Sequence, residues 1–299
     1  MELPLETVPN FSEGRDQATI DLLAGAMGAH ADLLDVHVDG DHHRSVFTLV
    51  GTEQDLAESL LAGVAYAKER IDLRGHEGAH PRIGAADVVP LVPLRPADMP
   101  QAQSAAKTIA RRIADELELP VFFYGALGGG VGPAHFRRGG TEELQRRIES
   151  GEVRPDFGPL QLHPGAGGVL VGARQPLIAF NVNLRSVDVE VARAVAKTVR
   201  EADGGFPGVR ALGLDLPTAG LVQVSMNVED WEAAALHEIV ARIVEEANRR
   251  GAEVAGSELV GLMPAGAAAA AAGSALRIEG FDESRVLELR LLELESGAG

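Results

Sequence analysis

Apolar segments of strand and helix period follow one another in the same order twice along this chain, and that repeat constrains its fold more than any other feature. Residues 3–8 read as a strand, 16–29 as a helix carrying Ile20, Leu22, Leu23 and Met27, 33–38 and 46–50 as strands, 53–71 as a helix with Thr52 at its N-cap, and 85–92 as a strand. A further helix at about 101–117 and a strand at 121–124 extend this run. The order then returns: strand 177–184, helix 187–202, strands 209–214 and 221–228, helix 231–249, strand 253–259. Each run is β-α-β-β-α-β, the ferredoxin-like split unit. The expected fold is α+β, with two ferredoxin-like βαββαβ α/β sandwich subdomains, residues 1–174 and 175–299, and the substrate cleft between them.

Glycine and proline mark the breaks. Residues 125–140 hold seven glycines without a period and read as a mobile loop. Residues 158–168, with four glycines and two prolines, are expected to lead into the junction between the halves, and clefts between domains are favoured ligand sites. A last helical stretch covers 282–295.

The loop of residues 74–84 holds the densest chemistry. Arg74, His76, Glu77, His80 and Arg82 stand among three glycines and one proline, directly before the apolar stretch 85–94. Such a backbone is tight and non-helical, and it brings polar groups to the end of a buried strand. Histidine exchanges its proton near neutral pH, and a guanidinium can hold an anion by two parallel hydrogen bonds. A metal site is not expected there. Ligands four apart share a face only on a helix, and Gly75, Gly78 and Pro81 oppose one. His42 and His43 are expected in an exposed turn, and His163 before Pro164 has no evident ligand partner.

Composition removes several classes of function. The 299-residue chain is long enough for one large domain or two ordinary ones, and 45% hydrophobic residues can fill their cores. A net charge of -17 disfavours nucleic acid, and an anionic substrate would have to be captured by local arginines such as Arg44, Arg82, Arg137, Arg138 and Arg174. No run of strongly apolar residues is long enough for a membrane span, and the alanines of residues 267–272 are too few. With no cysteine there is no disulfide, thiolate metal site or cysteine nucleophile, which fits a cytoplasmic enzyme. No glycine-rich phosphate cradle follows a strand.

Several blocks in order carry a resemblance: Val8-Pro9-Asn10-Phe11-Ser12-Glu13-Gly14-Arg15, the stretch from Asp39 to Ser45, His80-Pro81-Arg82, the run from Gly158 to Gly167, Val171-Gly172-Ala173-Arg174, residues 222–227 and residues 257–264. Together they resemble the formiminotransferase family, whose members pass a formimino group from N-formimino-L-glutamate to tetrahydrofolate. The likeness covers nearly the whole chain, so both halves would be formiminotransferase subdomains. It implies tetrahydrofolate as co-substrate, no metal, small-molecule substrates only, a place in histidine degradation and a homodimer.

The resemblance also assigns residues. His80 matches the family's catalytic histidine, a general acid/base beside the restraining Pro81. The segment Gly158, Pro159, Leu160, Gln161, Leu162, His163, Pro164, Gly165, Ala166 and Gly167 matches the folate-lining one, although some members carry serine and tryptophan where this chain has Gly165 and Ala166. Asp39 is a candidate to orient an imidazole or hold the amidinium, with a plain turn role as the alternative. Asn10 could donate to substrate or close its strand end. Arg44, Arg82 and Arg174 are carboxylate candidates, an internal ion pair being the alternative for Arg174. Related donors, N-formylglutamate or 5-formyltetrahydrofolate, and a non-catalytic folate binder stay open. In vertebrate members a cyclodeaminase domain follows; this chain is expected to lack that activity.

Overall fold

A computed structural model describes residues 4–78 and 81–295. The chain divides after Pro176 into two compact units. In order, the first unit has β1 (Leu5–Thr7), β2 (Asn10–Phe11), α1 (Gln17–Gly28), β3 (Asp32–Asp39), β4 (Arg44–Gly51), α2 (Glu53–Arg70), β5 (Ala86–Pro93), α3 (Met99–Leu117), β6 (Val121–Gly125), α4 (Pro133–Arg137), α5 (Gly140–Glu149) and β7 (Val169–Ala173). Local chemistry sets several of these ends. Asp16 caps α1 by accepting from the Ala18 N–H, and Thr52 and Asp55 form a reciprocal capping box on α2. The strand expected over residues 3–8 is β1, and beyond Pro9 a second short strand, β2, follows it; both lie between β4 and β5.

The first sheet runs β3-β4-(β1, β2)-β5-β7-β6, antiparallel up to β5 and parallel across β5, β7 and β6. Side chains alternate across it. Val89, Leu91, Val121, Val169 and Val171 face the core built with α1, α2 and α3. Val88, Phe122, Tyr124 and Leu170 face a second core with Phe136 of α4 and Leu144 and Ile148 of α5. A strand covered on both faces reads as unbroken apolar sequence, which explains residues 88–92.

The second unit has β8 (Ile178–Arg185), α6 (Val189–Val199), β9 (Val209–Leu216), β10 (Leu221–Val228), α7 (Leu236–Arg249), β11 (Glu253–Val260), α8 (Ala265–Leu276) and α9 (Leu287–Glu295). Its sheet, β11-β8-β10-β9, is antiparallel throughout and shares one core with α6 and α7. Counting β1 and β2 as one strand, the first four strands of the chain follow this same spatial order. The protein is thus a mixed α+β molecule with two sheets.

Several boundaries depart from the sequence expectation. The helix expected from residue 231 begins at Leu236, because Asp230 accepts the Ala233 N–H in a local turn and Ala235 is extended at ψ 128°. The stretch expected as a mobile loop, 125–140, includes α4, started by Pro133 and anchored by buried Phe136. Residues 158–168 lie inside the first unit and lead into β7, not into the junction. The final helical stretch is a short 3-10 turn at Glu283–Arg285 followed by α9. Among the described residues, no helix is long and apolar enough to cross a membrane.

Candidate active site

The β3–β4 turn is the first component. Asp39 and Arg44 are cross-strand partners at its base. Asp39 Oδ1 accepts the His42 N–H at 2.8 Å, and Oδ2 pairs with His42 Nδ1. His42 is 0% exposed, which corrects the exposed turn expected for it: the carboxylate three residues earlier offsets the cost of burying the ring. Burial alone would raise the Asp39 pKa, but the hydrogen bonds and charge from His42, together with Arg44, outweigh it and hold the carboxyl at about 2. Asp39 is therefore ionised at neutral pH and already holds an imidazole. His43 sits in the left-handed region at φ 50° and is only 15% exposed at its side chain, so it too departs from the expectation.

Glu13, in the loop between β2 and α1, fixes this turn from the other side. Its Oε1 accepts the backbone N–H of Gly14, Arg15 and Asp16 and lies 3.1 Å from His43 Nε2. Burial opposes its charge, but the backbone donors and His43 prevail and lower its pKa. Arg15 Nε also donates to Gly40 O at 2.9 Å.

The loop after α2 lies against this turn. His76 stacks on His43 with ring centroids 3.9 Å apart. Its Nε2 is 2.9 Å from Arg82 Nη1 and 2.8 Å from Ser12 O. Burial, then the charges of Arg82 and His43, push the His76 pKa down to about 4, so the ring is neutral. Arg82 donates from Nη1 to His43 O at 2.9 Å and from Nη2 to His42 O at 2.8 Å. The expectation for His80 lies outside the described residues.

The glycine-rich segment packs on the far end of the same loop. Ala85 N–H donates to Ala166 O, Gly168 N–H to Ile83 O and Leu73 N–H to Gly165 O. Gly167 has φ +68°, and a Cβ there would stand 2.0 Å from Ile83 O, so this contact requires glycine. His163 Nδ1 accepts from Ala166 N–H at 2.9 Å, and burial with the charges of Lys68 and Arg74 lowers its pKa. Leu162 and Ala166 are buried and Leu160 is exposed. A shallow hollow of about 250 Å³ beside the segment is lined by His163, Pro164 and Gly165 with Lys68, Asp72 and Arg74.

The structure thus brings Asp39, Arg44, Arg82 and residues 163–167 onto neighbouring loops of one unit. Asn10 uses its amide locally, donating to Val8 O at 3.0 Å. Arg174 follows β7, and its side chain donates to Gln175 O at 3.0 Å. Arg137 is paired with buried Asp87, which also accepts the Ile83 N–H at 2.7 Å, while Arg138 pairs with exposed Glu152. Sequence reasoning did not single out Glu13, the His43–His76 stack or Asp87. The spacing Asp39-x-x-His42 was a usable signal, since an Asp accepting the N–H three residues on is a common turn device.

Fold and site together define a two-unit α+β protein whose first unit carries an acid–base and cation-rich cluster on loops at its strand ends. The sequence matches the model of the formiminotransferase domain, N-terminal subdomain, over residues 4–174 and that of the formiminotransferase domain over residues 179–284. It is 40% identical to the glutamate formimidoyltransferase of Streptococcus pyogenes serotype M1, over 96% of this chain and 98% of that one. It is 35% identical to the protein of the same name from Thermoplasma acidophilum, over 96% and 97%. The formimidoyltransferase-cyclodeaminase of Rattus norvegicus is 39% identical over 87% of this chain and 50% of its own length. The chain belongs to the formiminotransferase family.

Proposed function

We propose that this chain is a glutamate formimidoyltransferase that moves the formimino group of N-formimino-L-glutamate to N5 of tetrahydrofolate in histidine degradation. The observation that carries the reading is near-complete, 40% identical coverage of a protein bearing that name. The chemistry asks for one proton to move. N5 of the folate attacks the amidine carbon and loses its proton, and the tetrahedral intermediate expels the glutamate nitrogen, which gains one. A single group with a pKa near 7 can serve both steps, and positioned acid/base catalysis is worth roughly 100-fold to 10,000-fold. His80 is assigned that role.

Asp39, ionised and tied to His42, supports the reading as an orienting group, with Asn10 at the neighbouring strand end completing the catalytic set. The segment 158–167 is assigned to the folate, where exposed backbone groups can pair with a pterin edge. Arg44 and Arg174 are assigned to substrate carboxylates. Each unit is read as a ferredoxin-like sandwich, the functional subdomains as 1–174 and 175–299, and the protein as a cytoplasmic homodimer without a metal.

The test is the reaction itself. Purified protein is given tetrahydrofolate and N-formimino-L-glutamate, quenched in acid, and the absorbance of the methenyl derivative is read. Wild type should give signal, and a folded His80→Ala variant should lose at least about 100-fold of it. Signal from formyl donors alone, or an active His80→Ala, would refute the assignment.

A further inference from the structure

We propose that Arg82 is a positioning residue, whose guanidinium locks the β3–β4 turn against residues 76–78 and 82–84, the stretches that flank the acid/base histidine in sequence. The proposal rests on the assignment of that role to His80. Arg82 Nη1 donates to His43 O at 2.9 Å and stands 2.9 Å from His76 Nε2, a nitrogen that also lies 2.8 Å from Ser12 O. Nη2 donates to the next carbonyl back, His42 O, at 2.8 Å. The end-on edge by which a guanidinium takes a carboxylate with two parallel bonds therefore faces the protein's own backbone.

The surface that Arg82 grips is rigid for independent reasons. Asp39 holds both the backbone and the ring of His42, Glu13 holds the His43 ring, and Arg15 holds Gly40 O. Gly78 lies directly on this turn: a Cβ there would stand 2.5 Å from His42 O and 2.4 Å from Arg82 Nη2. His43 Nδ1 also meets Glu77 O at 3.1 Å. On the other side of Arg82, Asp87 accepts the Ile83 N–H at 2.7 Å, and Ser12 Oγ donates to Gly84 O at 2.7 Å. Residues 76–78 and 82–84 are thus held at fixed places, and the Arg82 side chain reaches both the His42 and the His43 carbonyls.

The experiment compares wild type, Arg82→Gln, Arg82→Lys and Gly78→Ala. It measures kcat, the KM of each substrate and backbone hydrogen exchange over residues 40–45 and 81–85. A misplacement near 1 Å costs on the order of 100-fold, so kcat should fall about that much in Arg82→Gln. Both KM values should stay within about threefold, because no substrate contact is removed. Exchange over both segments should quicken. Lysine, a point donor, should recover only part of kcat. Gly78→Ala keeps Arg82 but wedges the loop away, and it should give the same pattern even where Arg82→Gln does not fold.

A rise of about tenfold or more in the KM of N-formimino-L-glutamate with kcat retained would make Arg82 a substrate ligand and overturn the proposal. Unchanged exchange in both variants would overturn it equally. Quickened exchange in a wild-type background that transfers no formimino group would uphold the clamp while removing the functional reading.

Discussion

At the scale of single residues, Asp39 is the most consequential side chain of the described site. Its pKa is held at about 2, below the ordinary carboxylate value of about 3.9, by the His42 and Arg44 interactions that overcome its burial. A depressed folded-state pKa stabilises above the unfolded value and loses that effect as pH falls through the folded one. The contribution is therefore full above about pH 5 and vanishes toward pH 2. Asp39→Asn should cost on the order of 2 kcal/mol at pH 7, and the gap to wild type should close as pH falls from about 5 to about 2. Urea unfolding at several pH values measures this, and a pH-independent gap would contradict it. The position of Asp39 beside a glycine turn was legible in sequence. The burial of His42 was not, because a histidine between charged neighbours reads as exposed until a cover is known, and here Gly78 lies 36 positions further on, against the His42 carbonyl.

At the scale of elements, long periodic segments were legible and short ones were not. The boundaries of α2, Glu53–Arg70, follow from the capping box and an apolar stripe, both local signals. The five-residue strand β7 and the short α4 carry too few residues for a period, and they exist because the sheet and the second core accept them. The same holds for the turn after Pro164, whose glycines looked like linker. Gly167→Ala would add a Cβ 2.0 Å from Ile83 O at φ +68°, so it should destabilise the first unit by several kcal/mol. Thermal unfolding checks this, with Gly129→Ala as the comparison, since Gly129 shares the positive φ and has nothing near its Cβ. Equal losses in the two variants would show that backbone conformation alone matters there.

At the scale of the whole molecule, the excess of 44 acidic over 27 basic residues dominates. Most ion pairs are exposed and close in sequence, such as Arg193–Glu190 and Arg249–Glu245, and pairs of that kind contribute about 0–1 kcal/mol each. A net charge of -17 adds self-repulsion that opposes the compact state and that salt also screens, and with pairs this weak the repulsion is expected to be the larger effect. Raising the ionic strength from about 0.01 M to about 0.15 M, which shortens the Debye length from about 30 to about 8 Å, should raise the unfolding temperature. A fall would mean that the ion pairs matter more than the net charge.

Which long segments are helix or strand, the repeated element order and the family are all legible in the amino-acid sequence, because period, capping and motif order are properties of neighbouring residues. That Glu13 and Arg82 grip the β3–β4 turn from two sides, and that residues 163–168 pack on residues 83–85, was set by tertiary structure alone. Those bonds join groups about 30 to 80 positions apart, and no local period encodes which distant carbonyl a guanidinium will find.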